Sequence, residues 1–164
     1  MTPSTQPLDH EHEHYMRKAF DVARQAKERG DHPFGCVLVG QGGEILMEQG
    51  NGFVSEGRDM TAHGERLMAT RASKAYPPKF LAECTLYTSA EPCAMCSGAI
   101  YWAGIGRLVF GQTEHDLKRA TGAHEENPTL NLPCRTVLAA GQRNVEVIGP
   151  LLVAEAAELQ RGFW

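Results

Sequence analysis

The triplet "HGE" at residues 63–65 and the quintet "PCAMC" at 92–96 constrain this chain more than anything else in it. Each falls where a helix is expected to begin. "TAHGERLMATRASKA" (61–75) opens on Thr61, is built from helix formers, and ends ahead of Pro77 and Pro78. "CAMCSGAIYWAG" (93–104) follows Pro92, a residue tolerated at a helix start, and comes after "CTLYTS" (84–89), whose β-favouring residues read as a strand. Cys93 and Cys96, three apart, share one helical face, and the free N–H groups and dipole of that helix end favour thiolates. One imidazole, His63, and two thiolates suit zinc. Three protein ligands leave a coordination position open, which catalysis requires and a structural site does not. Glu65, two residues from His63, can reach the same cavity without being a ligand, and a carboxylate beside activated water can take and return protons. A closed structural site would draw a fourth ligand from Cys84 or His115 and leave Glu65 without a role, and a Cys93–Cys96 redox pair lacks the context such motifs have.

Around these motifs helices and strands alternate. Tyr15, Phe20, Val22, Ala23 and Ala26 fall at helical spacing between residues 10 and 29, with Gly30 as a stop. "FGCVLVG" (34–40) and "EILMEQG" (44–50) read as a hairpin joined by "QGG", "RLVFG" (107–111) and "VEVIG" (145–149) as short strands, and residues 152–164 as a closing helix. Residues 113–136 contain Gly122, Pro128 and Pro133 and show no sustained period, so a long loop is expected there: a lid, a binding loop or an interface. This order indicates an α/β fold whose second half is mostly parallel. At 164 residues the chain fits one domain, 1–164, with a flexible segment at 1–13 in which His10, His12 and His14 alternate with acids.

Composition excludes several functions. A formal net charge of −4 argues against a nucleic-acid partner, and no apolar run approaches the roughly 20 residues of a membrane span. Five unevenly spaced cysteines do not make a secreted disulfide framework, and with no signal-like N-terminus a cytoplasmic location is expected.

The order H-x-E … P-C-x-x-C is the signature of zinc deaminases that act on nucleobases. Residues 34–111 resemble the cytidine-deaminase-like superfamily through "TAHGE", "TLYTSAEPCAMCSGA" and "GRLVFG", and within it "LYTSAEPCAMCSGAIYWA" is most similar to bacterial guanine deaminases. That resemblance implies a three-layer α/β/α fold on a central mixed five-stranded sheet. It implies Zn2+ on His63, Cys93 and Cys96, Glu65 as proton shuttle, and a homodimer acting on a small nucleobase-like substrate, with guanine first. Asn51 matches a substrate-binding Asn of guanine and tRNA adenosine deaminases if one residue is inserted before "MTAHGE"; otherwise it is a turn residue closing the hairpin. Phe34 lies in a similar "PFG". Guanine deaminases carry an acid after the "VF" strand, for which Glu114 and Asp116 both qualify. Trp102 and Trp164 are either packing residues or aromatic walls of the substrate site, since guanine deaminases close theirs with a C-terminal segment. The middle residue of H-x-E is Ala in most of this branch and Gly64 here, as in fungal cytosine deaminase, which implies a roomier pocket wall or a different ring. The rivals are therefore cytosine, a pterin, an aminotriazine, or the adenosine of a tRNA.

Overall fold

The alternation of side chains along three strands decides the layering of the computed structural model, which describes residues 9–122 and 124–164, with side chains from residue 11. β1 (Gly35–Val39) and β3 (Thr85–Ala90) are buried at every position, and β4 (Arg107–Gln112) at all but its first. Successive residues of a strand point to opposite faces. Cys36, Leu38, Leu86, Leu108 and Phe110 accordingly enter one core, and Val37, Val39, Tyr87 and Val109 the other. A sheet buried on both faces needs helices on both. α2 (Gly64–Ala75), α4 (Ala94–Ala103) and α6 (Cys134–Ala139) close the first core through Met68, Ile100 and Leu138. α1 (Asp9–Glu28) and α7 (Val153–Glu158) close the second through Phe20 and Leu159, the latter just past the end of α7. A side chain as fully buried as that of Phe20 contributes roughly 1.5–3 kcal/mol.

The sheet order is β2-β1-β3-β4-β5, with β2 (Ile45–Gly50) and β5 (Glu146–Ile148) at the edges. β1 is antiparallel to both β2 and β3, whereas β3, β4 and β5 run parallel. This is the three-layer arrangement on a mixed five-stranded sheet. Gly35 lets α1 approach β1 closely: a Cβ there would lie 2.4 Å from the backbone nitrogen of Ala23. Gly104, at φ 97°, ends α4 in the left-handed conformation that glycine adopts without strain.

α2 starts at Gly64, within the HGE triplet as expected, and the Thr61 N–H and hydroxyl, both donating to Asp59 Oδ1 at 2.8 Å, form a turn before it. Several other boundaries differ from the sequence reading. The expected loop at 113–136 contains α5 (Glu114–Thr121), capped by Thr113 Oγ1 accepting from the Asp116 N–H at 3.0 Å. Its inward face is Glu114, Leu117 and Thr121, too polar to show a hydrophobic period. A short α3 (Pro78–Leu81) follows α2. The closing helix ends at Glu158, and residues 159–164 turn back so that Trp164 Nε1 donates to Gln160 Oε1 at 2.7 Å. α1 already begins at Asp9, inside the segment expected to be flexible. His12 is buried there, its Nδ1 2.8 Å from the Tyr87 hydroxyl. Residues 1–8 and the side chain of His10 lie outside the described residues. No helix among the described residues is long and apolar enough to cross a membrane.

The parallel strands β3 and β4 end side by side, and α4 and α5 begin just beyond them. The start of β1 and the end of β2 reach the same rim, since Gly35 pairs with Gly50. Open α/β sheets place ligands at this kind of edge.

Candidate active site

His63 and Cys93 are the N-cap residues of α2 and α4, each with extended backbone, and Cys96 lies one turn into α4. The two helix starts thereby aim three donors at one point. His63 Nδ1 lies 3.5 Å from Cys93 Sγ and 3.6 Å from Cys96 Sγ, and all three donor atoms lie within 4.8 Å of one another. A tetrahedral zinc with Zn–S near 2.3 Å and Zn–N near 2.0–2.1 Å puts such nitrogen and sulfur atoms about 3.5 Å apart. The donor set therefore fits zinc in kind, number and spacing. Cys84 takes no part, its thiol donating to the Phe80 carbonyl at 3.4 Å, and His115 is exposed on α5. The hydrogen bond from Cys96 holds the Cys93 thiol down to about 4, with His63 assisting, and the same bond and burial push Cys96 up. One of the pair is thus ready as a thiolate beside the imidazole, the protonation state that metal binding requires.

Glu65 stands in the first turn of α2, buried, with Oε1 accepting the Thr88 hydroxyl at 2.5 Å. Burial raises its pKa, and the bond from Thr88 opposes that rise. Thr88 comes from the middle of β3, so the sheet itself fixes the carboxylate beside the three donors. Gly64 lines the cavity beside Glu65. A Cβ there would meet the Gln49 carbonyl oxygen at 3.1 Å, so the glycine serves the close packing of α2 on the end of β2.

His63, Gly64, Glu65 and Cys93 line a small cavity of about 40 Å3 with Phe34, Asn51, Glu91, Glu114, Leu117, His32, Glu126 and Asn127. Asn51 lines the cavity and also closes the turn. Its Oδ1 accepts the backbone N–H of Phe53 at 2.8 Å and of His32 at 3.4 Å, as a turn residue would. With Oδ1 committed to backbone N–H groups, Nδ2 is the part of the amide left for another partner. Glu114 lies inward at the first position of α5, and burial, then the charges of Cys93 and Glu91, push its carboxyl up to about 8.

Other expected contacts lie elsewhere. Asp116, two residues further round α5, turns outward and pairs with Arg119. Trp102 sits on the far side of α4 from the cavity, 84% exposed. Trp164 lies behind the lining, its ring edge-on to His32 at 5.0 Å and tilted to Phe34 at 6.1 Å, so the C-terminus packs against the site of its own chain.

Five polar residues of the site were not foreseen. Thr88 is one. Glu91 is another: its Oε1 accepts the Glu114 N–H at 2.9 Å and its Oε2 the Cys134 N–H at 2.8 Å. A single carboxylate thus caps the first residues of both α5 and α6, where helix dipoles favour negative charge, and fixes the start of α5 and the far end of the 122–133 loop. His32, stacked on Phe53 at 4.5 Å, holds Glu126 at 2.9 Å and ties that loop to β1's entry. Asn127 follows Glu126. The residue before Pro92 and the polar loop carry no local sequence signal of these roles, because every partner is distant in the chain.

Comparison with known proteins agrees with this geometry. The sequence model of the family described as "Cytidine and deoxycytidylate deaminase zinc-binding region" matches residues 9–112. The chain is 42% identical over 150 residues to a probable cytosine deaminase of Schizosaccharomyces pombe, covering 92% of this chain and 90% of that protein. It is 33% identical over 121 residues to a tRNA-specific adenosine deaminase of Aquifex aeolicus, covering 73% and 79% of the two. The solved structure of a guanine deaminase from Nitrosomonas europaea superposes with a TM-score of 0.74 at 27% identity, covering 90% of this chain and 81% of that one. The chain belongs to the zinc-binding cytidine and deoxycytidylate deaminase family. It is a hydrolase of the class that deaminates nucleobases, with zinc as its metal.

Proposed function

We propose that the protein hydrolytically deaminates a free, oxo-bearing aminated base, with a cytosine-type ring as first substrate. The observation that carries the class is the buried carboxylate of Glu65, fixed by Thr88 beside the three-donor cluster on the wall of a small cavity. Zinc bound there would supply the Lewis acidity that makes water a nucleophile at neutral pH. Glu65 would take the proton from that water as its oxygen bonds to the carbon bearing the amine, and pass it to the adjacent ring nitrogen. A second transfer through Glu65 to the amine lets the C–N bond break, so that ammonia leaves and a carbonyl remains. Thr88 occupies one oxygen of Glu65 and leaves the other for this traffic. His63 and Glu65 enter from the same helix turn, which keeps acid and metal ligand in fixed register.

The single ring is supported by the size of the cavity, which holds about three water molecules at the roughly 10–15 Å3 that each needs, and by the near full-length likeness to the cytosine deaminase relative. Guanine, the expectation from the motif, is the second reading, supported by the likeness to the Nitrosomonas enzyme. A tRNA substrate fits poorly with a net charge of −4, because RNA binding rests on cationic contacts to phosphate. Ammonia release from zinc-assayed protein on cytosine, guanine, adenine, an aminotriazine and a tRNA anticodon hairpin tests this. Turnover of cytosine above guanine is expected. Turnover of the hairpin alone would overturn the free-base reading.

A further inference from the structure

We infer that Asn127 reads an oxo group on the substrate ring and so selects oxo-bearing bases over their amino-substituted counterparts; this rests on the free-base reading above. The backbone of Asn127 is fixed in a tight turn. Its N–H donates to the His124 carbonyl at 3.0 Å, and its own carbonyl accepts the Thr129 N–H at 3.0 Å. The preceding residue is held from two sides, Glu126 Oε1 by His32 Nε2 at 2.9 Å and the Glu126 N–H by His124 Nδ1 at 3.1 Å. Glu91 anchors the loop's far end at Cys134. Asn127 therefore joins the cavity lining from a defined position rather than from a loose tip.

Asn127 is part of the cavity lining, and its Nδ2 is shielded from solvent without a hydrogen-bond partner among the described residues. An unsatisfied buried donor costs its desolvation free energy unless a partner arrives. Within this cavity the partner is the substrate. Asn51 has a second amide nitrogen left for another partner, its oxygen being taken by backbone N–H groups. The wall away from the metal donors thus offers two carboxamide N–H groups, and a ring that satisfies both must bring acceptors. A ring carbonyl has two lone pairs and no hydrogen, whereas an amino group at the same position would set donor against donor. The carboxylates of Glu65 and Glu114 lie on the remaining walls, suited to the N–H and amine edges of the same ring.

The test compares pairs of rings that differ only at that position: cytosine against 2,4-diaminopyrimidine, and guanine against 2,6-diaminopurine. Both turnover and equilibrium binding by calorimetry are measured for the zinc-loaded wild type, Asn127→Ala and Asn127→Asp. Wild type should favour the oxo member of its preferred pair by about ten- to a hundredfold. Asn127→Ala should lose most of that preference, and Asn127→Asp, which replaces the donor by an acceptor, should reverse it. Thermal melting checks that both variants fold. A preference that stays within twofold of wild type in both variants overturns the inference. If wild type turns over none of the four rings, the free-base reading fails, and the binding data still decide this one: oxo preference lost in Asn127→Asp supports it, and no binding or an unchanged preference overturns it.

Discussion

The two walls of the cavity are built differently. On the metal wall, His63, Glu65, Cys93 and Cys96 come from the first turns of two helices packed on the sheet, and Thr88 on a buried strand orients Glu65. On the ring wall, Asn51, Glu114, Glu126 and Asn127 come from a turn, a helix start and a loop, held by bonds that span long stretches of chain: Glu91 to Cys134, and His32 to Glu126. Reaction chemistry is carried by rigid elements with local spacing, and recognition by segments whose positions depend on a few buried polar anchors. Chemistry and selectivity are therefore separable by mutation.

The largest effects should appear on the metal wall. His63→Ala should lose the ion and all measurable turnover, whereas Glu65→Gln should retain one equivalent of zinc and lose about 10²–10⁴ in kcat, since that is the range for general acid–base catalysis. Metal content assayed beside turnover separates the two, and full activity in zinc-loaded Glu65→Gln would remove the shuttle from the mechanism. A smaller effect, confined to the ring wall, is expected from Glu91→Gln. One carboxamide cannot accept from two backbone N–H groups as strongly as a carboxylate, and the loss of a charged hydrogen bond is worth about 1.5–3 kcal/mol. kcat/KM should fall about ten- to a hundredfold with zinc content unchanged, and amide exchange in residues 122–133 should quicken. A loss of zinc in this variant would break the division between the walls.

The smallest effect concerns pH. Burial lowers the pKa of His32, outweighing the opposing pull of Glu126, so the folded state binds a proton less readily than the unfolded chain, whose histidine titrates near 6.5. Stability from this group is complete above that value and is lost as pH falls from 6.5 toward the lowered folded pKa. His32→Gln should flatten this part of the stability curve, read as melting temperature between pH 7.5 and 5. A slope as steep as in wild type would assign it to other groups.

The same contrast decides how much could be read from the sequence. His63, Glu65, Cys93 and Cys96 were legible because ligand chemistry demands fixed residue types at fixed offsets; the alternation of helices and strands followed from apolar runs and helix stops, and the three layers from the family resemblance. α5 was not, because its inward residues are Glu114, Leu117 and Thr121. Asp116 and Trp102 looked like site residues by type, yet Asp116 lies two positions round a helix from Glu114, and Trp102 is nine residues along α4 from Cys93. Glu91, His32 and Asn127 carry their roles through partners, or through the lack of one, that only the folded chain brings into view.

The double bond-acceptance of Glu91 has a further consequence for how such a molecule can change. With the start of α5 and the start of α6 fastened to one carboxylate, the ends of the intervening segment are held at a set separation whatever lies between them. The stretch 115–133 then behaves as an exchangeable cassette: a segment of different length or polarity can be seated on the same two fastenings, and a new ring taken up, without altering any of the three metal donors.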